Sequence, residues 1–269
     1  MEEKALTPFL KWAGGKRWLV ERHEYLLSNS YDCFIEPFLG SGAVFFNLKP
    51  KKSILVDKNE RLIEAYSAIK NNWQEVQERL SFHHRNHSKE YYYAVRSTVF
   101  DSVESRAAQF IYLNRTCWNG LYRVNLKGQF NVPIGTKKYA CLATDDFEQT
   151  AAVLKNSRLI AGDFELAISQ AKNGDFVFVD PPYTVKHNYN GFVKYNESIF
   201  SWDDQIRLRD AVKAAVGRGA QVLVTNAFHE SIKGIYQGLG ELIKLDRPSV
   251  ISGKASGRGR YEEMIIKCY

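Results

Sequence analysis

Residues 33–57 read CFIEPFLGSGAVFFNLKPKKSILVD, and this stretch decides the fold. Two short apolar runs, 33–35 and 53–56, are separated by a glycine-containing turn and an apolar segment, 43–48. A strand, a turn, a helix and a second strand form the repeating unit of open α/β sheets. The stretch therefore predicts an α/β fold with a ligand-binding turn after its first strand.

The same alternation continues along the chain. Further strands are predicted at 158–161, 176–179, 221–224, 241–245 and 262–268, and helices at 61–70 and 203–216. The last two predicted strands are close enough in sequence to pair antiparallel.

Residues 71–141 break the alternation. Helical patterning covers 73–80, 91–103 and 105–113, and the stretch 115–138 then resembles a loop with turn signals at Asn119-Gly120 and Lys127-Gly128. Roughly 70 residues between two strands are too many for an ordinary crossover. We therefore expect one domain formed by 1–70 and 142–269, with 71–141 inserted as a subdomain.

Composition limits the possible classes of protein. The chain has 269 residues, 45% of them hydrophobic, which is enough for a large core and argues against disorder or a disulfide-stapled mini-fold. The formal net charge is +7, and two stretches without acidic residues, 115–138 and 247–261, hold five and four basic residues. Charge concentrated in this way favours a polyanionic partner, although a solvated loop would explain the second stretch equally well.

The four cysteines are widely spaced, and no His-Glu-x-x-His pattern is present, so we expect no metal site. Scattered thiols suit a reducing compartment. Neither a signal peptide nor an apolar run of about 18 residues is found, so we expect a cytoplasmic protein without a membrane segment.

Two strand ends carry candidate ligand-binding groups. The turn Glu36-Pro37-Phe38-Leu39-Gly40-Ser41-Gly42 lets backbone approach a ligand closely, and Asp57 after the next strand is placed to accept hydrogen bonds from ribose hydroxyls. The turn lacks the third glycine of a dinucleotide fingerprint and the lysine of a P-loop. Together these residues indicate a nucleoside cofactor, whereas the turn alone would also fit a purely structural role.

Asp180-Pro181-Pro182-Tyr183 follows four apolar residues and so lies at the carboxyl end of a strand, where α/β sheets bind ligands. Two prolines remove two N–H donors, which leaves a carboxylate, bare carbonyls and an aromatic face. Such a group of acceptors suits an amino group on a planar ring. An ordinary strand-ending loop is the alternative, and the flanking Asp180 and Tyr183 argue against it.

These motifs, taken in order, resemble the Dam-type DNA adenine-N6 methyltransferases of the α group. FLKWAGGK at 9–16 is similar to their first motif, EPFLGSG at 36–42 to their cofactor loop and DPPY at 180–183 to their catalytic tetrapeptide. LNR at 113–115, WNGLYRVN at 118–125 and GQFNVP at 128–133 resemble their target-reading segment. The resemblance covers nearly the whole chain.

The resemblance implies S-adenosylmethionine as methyl donor and a Rossmann-like methyltransferase sheet with an inserted, mostly helical target-recognition subdomain. The residues it places at the cofactor are Trp12, Lys16, Glu36, Phe38, Gly40, Gly42, Asp57, Asp163, Phe164 and Asp180. Asp180, Pro181, Pro182 and Tyr183 would form the catalytic tetrapeptide, with Asp180 and the Pro181 carbonyl binding the target amine. Tyr183 would stack on an adenine that has left the duplex.

For the DNA, the resemblance implies contacts from one group of residues: Lys11, Arg115, Trp118, Asn119, Leu121, Arg123, Asn125, Asn131 and Pro133. Arg123 would read a guanine, Lys11 the outer guanine, and Leu121 a thymine methyl, which favours GATC. Thr136 stands where relatives commonly carry a basic residue, so a contact there does not transfer. Double-stranded DNA is the expected partner of a nucleoid-associated monomer with no obligate protein partner.

Three alternatives remain open at this stage. Similar tetrapeptides serve methylation of protein glutamine, RNA adenine and cytosine N4, although FLKWAGGK and the 115–133 segment argue against these. A DNA-binding protein with a vestigial cofactor pocket would need lost chemical positions, and none is lost. A nicotinamide-dependent dehydrogenase would suit the glycine turn and Asp57 but not the tetrapeptide.

Overall fold

The computed structural model describes residues 6–125, 127–185, 200–248 and 260–269. The strands are β1 (Phe34–Glu36), β2 (Ser53–Asp57), β3 (Ser157–Ala161), β4 (Phe176–Val179), β5 (Gln221–Ala227), β6 (Glu241–Pro248) and β7 (Arg260–Cys268). They form one sheet in the order β3-β2-β1-β4-β5-β7-β6. The pairs β1–β2, β1–β4 and β4–β5 are parallel, and β7 lies antiparallel between β5 and β6.

The central strands are continuous apolar runs because both of their faces are covered. Every residue of β4 is buried, and so are Phe34 and Ile35 of β1. Parallel strands packed on both faces have this composition, whereas half-exposed strands alternate apolar and polar residues. The predicted α/β class and the antiparallel pairing of the last two strands are confirmed.

The helices are α1 (Arg17–Arg22), α2 (Ala43–Leu48), α3 (Glu60–Arg85), α4 (Lys89–Ser97), α5 (Val103–Thr116), α6 (Phe147–Leu154), α7 (Glu165–Ile168), α8 (Trp202–Gly217) and α9 (Glu230–Tyr236). Among the residues described, no helix is long and apolar enough to cross a membrane. The same residues contain no cluster of three or more side chains suited to a metal ion.

Two helix boundaries differ from the expectation. The helices expected at 61–70 and 73–80 are the single helix α3, which bends at Asn72, where φ is −153° and ψ is 60°. The helix expected at 91–103 ends at Ser97 instead, where the next residue, Thr98, is extended. A separate helix, α5, begins after Ser102, whose side chain accepts a hydrogen bond from the Ser105 amide. A serine at this position caps the first turn of a new helix.

The chain divides into two compact units. The first comprises the residues up to Arg17, Leu39–Lys51 and Asp57–Gly162, and the second comprises Trp18–Phe38, Lys52–Val56 and the residues from Asp163 onward. All of 71–141 lies within the first unit. The separate role of 71–141 as an inserted recognition subdomain stays a prediction.

A cluster of histidines and tyrosines packs inside the first unit. His83 of α3 is buried, its Nδ1 lies 2.8 Å from the Tyr91 hydroxyl, and its ring stacks on Tyr112 with centroids 5.1 Å apart. Burial, reinforced by the charge of Arg79, lowers the pKa of His83 to about 4. The imidazole is therefore neutral in the folded protein at neutral pH.

This low pKa predicts an acid-sensitive fold. Between pH 6.5 and about 4 the unfolded chain binds a proton at His83 that the folded chain does not, so the free energy of unfolding falls as the pH is lowered through this window. The loss attributable to His83 is up to about 3 kcal/mol. Urea unfolding from pH 7 to 4.5 should show a shallower pH dependence in His83→Asn than in the wild type. Parallel curves for the two proteins would contradict the assignment.

Candidate active site

The glycine turn and Asp57 are joined by hydrogen bonds in the first unit. The Asp57 carboxylate accepts from the Gly40 amide and from the Asn59 amide, both at 2.9 Å. Burial raises the pKa of Asp57, and these two hydrogen bonds oppose that shift. A carboxylate has about four acceptor positions, so two used by backbone amides leave capacity for a diol. The local geometry fits a ribose-binding acid.

Gly40 is required by the position of Trp12. Its φ is +48°, and a Cβ added there would lie 2.8 Å from Cδ1 of the indole. The ring of Tyr122 also stacks on the Trp12 indole, with the ring centroids 5.6 Å apart and the ring planes at 24°. The structure thus brings together three residues that were predicted to contact the cofactor, Trp12, Gly40 and Asp57. Tyr122 belongs to the same cluster and was not predicted.

Lys16 and Gly42 are built into the same unit. Lys16 is only 3% exposed, and its Nζ donates to the Gly14 carbonyl at 2.8 Å. Gly42 adopts a φ of +66° at the start of α2, where a Cβ would lie 3.1 Å from the Phe46 ring. Both residues are therefore fixed in place by packing.

In the second unit, the turns after β1 and β4 leave the sheet side by side. β1 and β4 are adjacent parallel strands that are far apart in sequence, so the order of the sheet reverses between them. Ligands of open α/β sheets bind beyond the carboxyl ends of the strands at such a point. Glu36, which is buried, ends β1, and Asp180 directly follows β4.

Side chains from neighbouring elements hold the tetrapeptide. Thr225 of β5 donates to Asp180 Oδ1 at 2.6 Å, and the Tyr183 hydroxyl donates to Glu263 Oε2 of β7 at 2.8 Å. Gln205 of α8 reaches the Pro182 carbonyl at 3.4 Å and accepts from Asn226 at 3.1 Å. The turn is therefore fixed at three points, although its prolines supply no backbone donor.

The Tyr183 hydroxyl remains a hydrogen-bond donor at any physiological pH. Its pKa is raised well above the ordinary value, mainly by burial and further by the carboxylates of Asp180 and Glu263. A neutral phenol presents an uncharged ring face, which is suitable for stacking on a base.

Three aromatic rings of the second unit, Phe38, Phe164 and Phe200, form a cluster. Phe38 stacks on Phe164 at 5.5 Å and 26°, and Phe200 packs against the edge of Phe38 at 5.6 Å. Asp163 forms an ion pair with Arg207 at 3.0 Å, and the guanidinium of Arg207 lies over Phe164. The structure thus brings Phe38, Asp163 and Phe164 together, and it adds Phe200 and Arg207.

The predicted DNA-reading residues lie on an irregular loop of the first unit. The loop closes through bridges between Cys117 and Ile134 and between Val124 and Phe130. Trp118 is 53% exposed and Leu121 40%, while Asn119 and Pro133 are also at the surface. Large apolar side chains grouped on a surface in this way indicate a binding face.

Asparagines organise the same loop. Asn131 accepts from Nε of Arg123 at 3.0 Å, which fixes the direction of the guanidinium. Asn125 accepts from the amides of Lys127 and Gln129, so it shapes the turn at the tip of the loop. Asn131 and Asn125 therefore have structural partners in addition to any contact with DNA.

Lys11 is attached to this loop. Its amide donates to Asn114 Oδ1 at 3.0 Å, and its carbonyl accepts from Asn114 Nδ2 at 2.9 Å. A Cβ added at Gly120, whose φ is +64°, would lie 2.6 Å from the Lys11 side chain. Lys11 is thereby held next to Trp118, Asn119 and Leu121.

Arg115 is placed differently from the expectation. Its side chain is 4% exposed, forms an ion pair with Asp145 at 2.6 Å and donates to the carbonyls of Phe9 and Ala140. A buried guanidinium with these partners holds the N-terminal arm, and removal of one partner of such a pair costs about 3–5 kcal/mol. This burial argues against a phosphate contact by Arg115 and revises that expectation.

Two sequence expectations lie mainly outside the described residues. Residues 186–200 are aromatic and polar, a composition that predicts a segment able to close over the target base, and only Phe200 among them is described. The second basic stretch, 247–261, includes 249–259, which are likewise not described.

Comparison with known proteins identifies the class and then the family. The family model for D12 class N6 adenine-specific DNA methyltransferases matches residues 12–249. The type II methyltransferase M1.LlaDCHI of Lactococcus lactis subsp. cremoris is 38% identical over 273 residues, which cover 98% of this chain and 96% of the relative. A DNA adenine methylase of Vibrio cholerae is 33% identical over 268 residues, with coverage of 97% and 96%. The DNA adenine methylase of Escherichia coli K12 is 33% identical over 222 residues, with coverage of 81% and 80%.

The chain belongs to the D12 class of N6 adenine-specific DNA methyltransferases. S-Adenosylmethionine is its methyl donor, and DNA is its substrate. This assignment confirms the predicted family and decides against a dehydrogenase, a vestigial binding protein and methylation of protein, RNA or cytosine.

The close approach of Gly40 to Trp12 predicts that a larger residue at position 40 weakens the binding of S-adenosylmethionine. Gly40→Ala forces the indole to move and strains a left-handed backbone, so we expect the Kd for S-adenosylmethionine to rise about tenfold or more. Isothermal titration calorimetry measures this directly. Gly234→Ala is the matched control, because a Cβ there meets no atom within 4 Å. An unchanged Kd in Gly40→Ala would contradict the fit.

Proposed function

We propose that this enzyme methylates N6 of an adenine rotated out of duplex DNA, and that its target sequence is GATC. The observation that carries the proposal is the tetrapeptide after β4, whose carboxylate and tyrosine are both fixed by side chains from β5 and β7. A rigid acceptor beside an aromatic face matches an amino group on a purine.

Cofactor binding is assigned to residues of each unit in turn. In the first unit, Asp57 binds the ribose hydroxyls, and Trp12, Lys16, Gly40 and Gly42 surround the methionine part. In the second, the aromatic cluster of Phe38, Phe164 and Phe200 accepts the adenine ring beside Asp163, and Glu36 and Asp180 are the acids at the strand ends. When bound, S-adenosylmethionine supplies an electrophilic methyl group on a sulfonium.

The tetrapeptide activates the target amine. The lone pair of an exocyclic amine is delocalised into the purine ring, so the amine is a weak nucleophile. Hydrogen bonds from the amine to the Asp180 carboxylate and the Pro181 carbonyl localise that lone pair and orient it toward the methyl group. Methyl transfer would place positive charge on N6, and the Asp180 carboxylate would stabilise that charge and accept the departing proton.

Extrusion of the adenine follows from the depth of the site. An amine inside a duplex cannot reach a carboxylate at the end of a buried strand, so the base must leave the stack at a cost of a few kcal/mol. Stacking on the Tyr183 ring recovers part of that cost. The exposed Trp118 and Asn119 fill the space that the base leaves in the duplex.

Recognition of GATC is assigned to the loop at 117–134 and to Lys11 of the N-terminal segment, which this loop contacts. Arg123, oriented by Asn131, presents its terminal nitrogens to the O6 and N7 atoms of a guanine. Lys11 reads the outer guanine, and Leu121 and Pro133 contact a thymine methyl. Relatives named DNA adenine methylase support adenine as the target base.

The remaining basic side chains of the loop are assigned to the phosphates. Lys127, Lys137 and Lys138 are exposed, in contrast to Arg115. All proposed contacts to the duplex come from one chain, so we propose a monomer that acts on DNA in the cytoplasm without an obligate protein partner. Residues 71–141 act as the target-recognition subdomain.

Asp180→Ala tests the chemistry. Loss of the acceptor removes the stabilisation of charge on N6, so we expect the rate of methyl transfer to fall by at least about 100-fold. Transfer of labelled methyl from S-adenosylmethionine to duplex DNA is the measurement, and a melting curve verifies the fold. Turnover close to that of the wild type would refute the proposed role of Asp180.

Mapping of N6-methyladenine in a random duplex library tests the target sequence. The wild type should methylate GATC, and Arg123→Ala should lose about 10- to 100-fold of its discrimination at one guanine. Lys127→Ala, a change to an exposed cation on the same loop, should instead weaken binding to all sequences. A product without GATC would overturn the proposed specificity.

A further inference from the structure

A buried glutamate lies beside the tetrapeptide and is not among the residues assigned above to the cofactor, the target base or the DNA. Glu263 is 2% exposed in β7, where it is in register with Ala227 of β5 and Leu245 of β6. Burial of a carboxylate is unfavourable unless hydrogen bonds compensate. One such bond is donated by the Tyr183 hydroxyl at 2.8 Å.

This hydrogen bond restricts the orientation of the Tyr183 ring. The ring is fixed to the backbone at one end and to the sheet at the other, so it cannot move to another χ1 rotamer without breaking the bond. A phenolic O–H prefers to lie in the plane of its ring, and the acceptor therefore also favours one ring plane. Hydrogen bonds to charged groups are among the stronger ones in proteins.

The same sheet sets the position of the Asp180 carboxylate. Thr225 of β5 donates to Asp180, and two residues further along β5 Ala227 pairs with Glu263. The acceptor for the amine and the stacking face are thus held by adjacent antiparallel strands. Their separation is fixed by strand geometry rather than by the turn that carries both residues.

We infer that Glu263 is a positioning residue that sets the plane in which Tyr183 stacks on the extruded adenine. The inference rests on the proposed function of Tyr183. Glu263 touches neither the base nor the cofactor in this role and acts only through the tyrosine hydroxyl.

A double-mutant cycle tests the inference. Glu263→Leu and Tyr183→Phe each remove the hydrogen bond, so each should lower kcat by about 10- to 100-fold with a smaller change in KM for DNA. Because the two changes remove the same interaction, the double variant should be no slower than the slower single variant. Glu263→Gln retains an acceptor oxygen and should recover much of the kcat lost in Glu263→Leu.

The fluorescence of a duplex with 2-aminopurine at the target position provides a second readout. Stacking quenches this base, so its emission in complex with Glu263→Leu should exceed that with the wild type. Glu262→Gln is the matched control, because Glu262 is the exposed neighbour of Glu263 and pairs with Lys244. It should change neither kcat nor the emission.

The outcomes separate the two levels of the proposal. A wild type that methylates no adenine defeats the proposed function itself. Wild-type methylation combined with unchanged kcat in Glu263→Leu, or with independent, multiplicative losses in the double variant, defeats the role of Glu263 alone. If melting shows that Glu263→Leu does not fold, the cycle is made with Glu263→Thr, whose side chain is too short to reach the tyrosine hydroxyl and whose effect must vanish in the Tyr183→Phe background.

Discussion

Two consecutive prolines remove two backbone donors from the turn after β4, and side chains from other elements hold it. Thr225, Gln205 and Glu263 come from β5, α8 and β7 and bind Asp180, Pro182 and Tyr183. The position of β7 between β5 and β6 brings Glu263 into this set. The place of β7 in the sheet, the burial of these polar side chains and the geometry of the proposed reacting groups are therefore linked through the hydrogen bonds that hold the turn.

In the first unit, residues proposed for DNA recognition pack directly against residues proposed for cofactor binding. Asn114 bonds the backbone of Lys11 on both sides, and Tyr122 stacks on the next residue, Trp12. Tyr122 itself precedes Arg123 in the chain. The loop that carries Arg123 and the indole of Trp12 are thus connected by a path of directly contacting residues.

Local sequence patterns predicted the strands and the motifs well, because apolar runs and glycine or proline turns are local signals. They failed where the partner is distant in sequence. Glu263 is 80 residues from Tyr183, and Asn114 is 103 residues from Lys11, so no periodicity or spacing reveals either bond. Arg115 was expected at the surface because its own stretch lacks acidic residues, but Asp145 beyond that stretch neutralises it. The helix boundary at Ser102 is the exception, since a serine cap is a local signal that the apolar pattern concealed.

The late position of β7 in the chain has a consequence for biosynthesis. Translation produces β5 and β6 before β7, yet β7 is the strand that pairs with both. Tyr183 leaves the ribosome 80 residues ahead of the carboxylate that holds it. A nascent chain can therefore form the parallel strands early, whereas an ordered tetrapeptide must await insertion of the final hairpin strand. The contacts that order the tetrapeptide, and with them the proposed activity, therefore require β7 to be in place in the sheet.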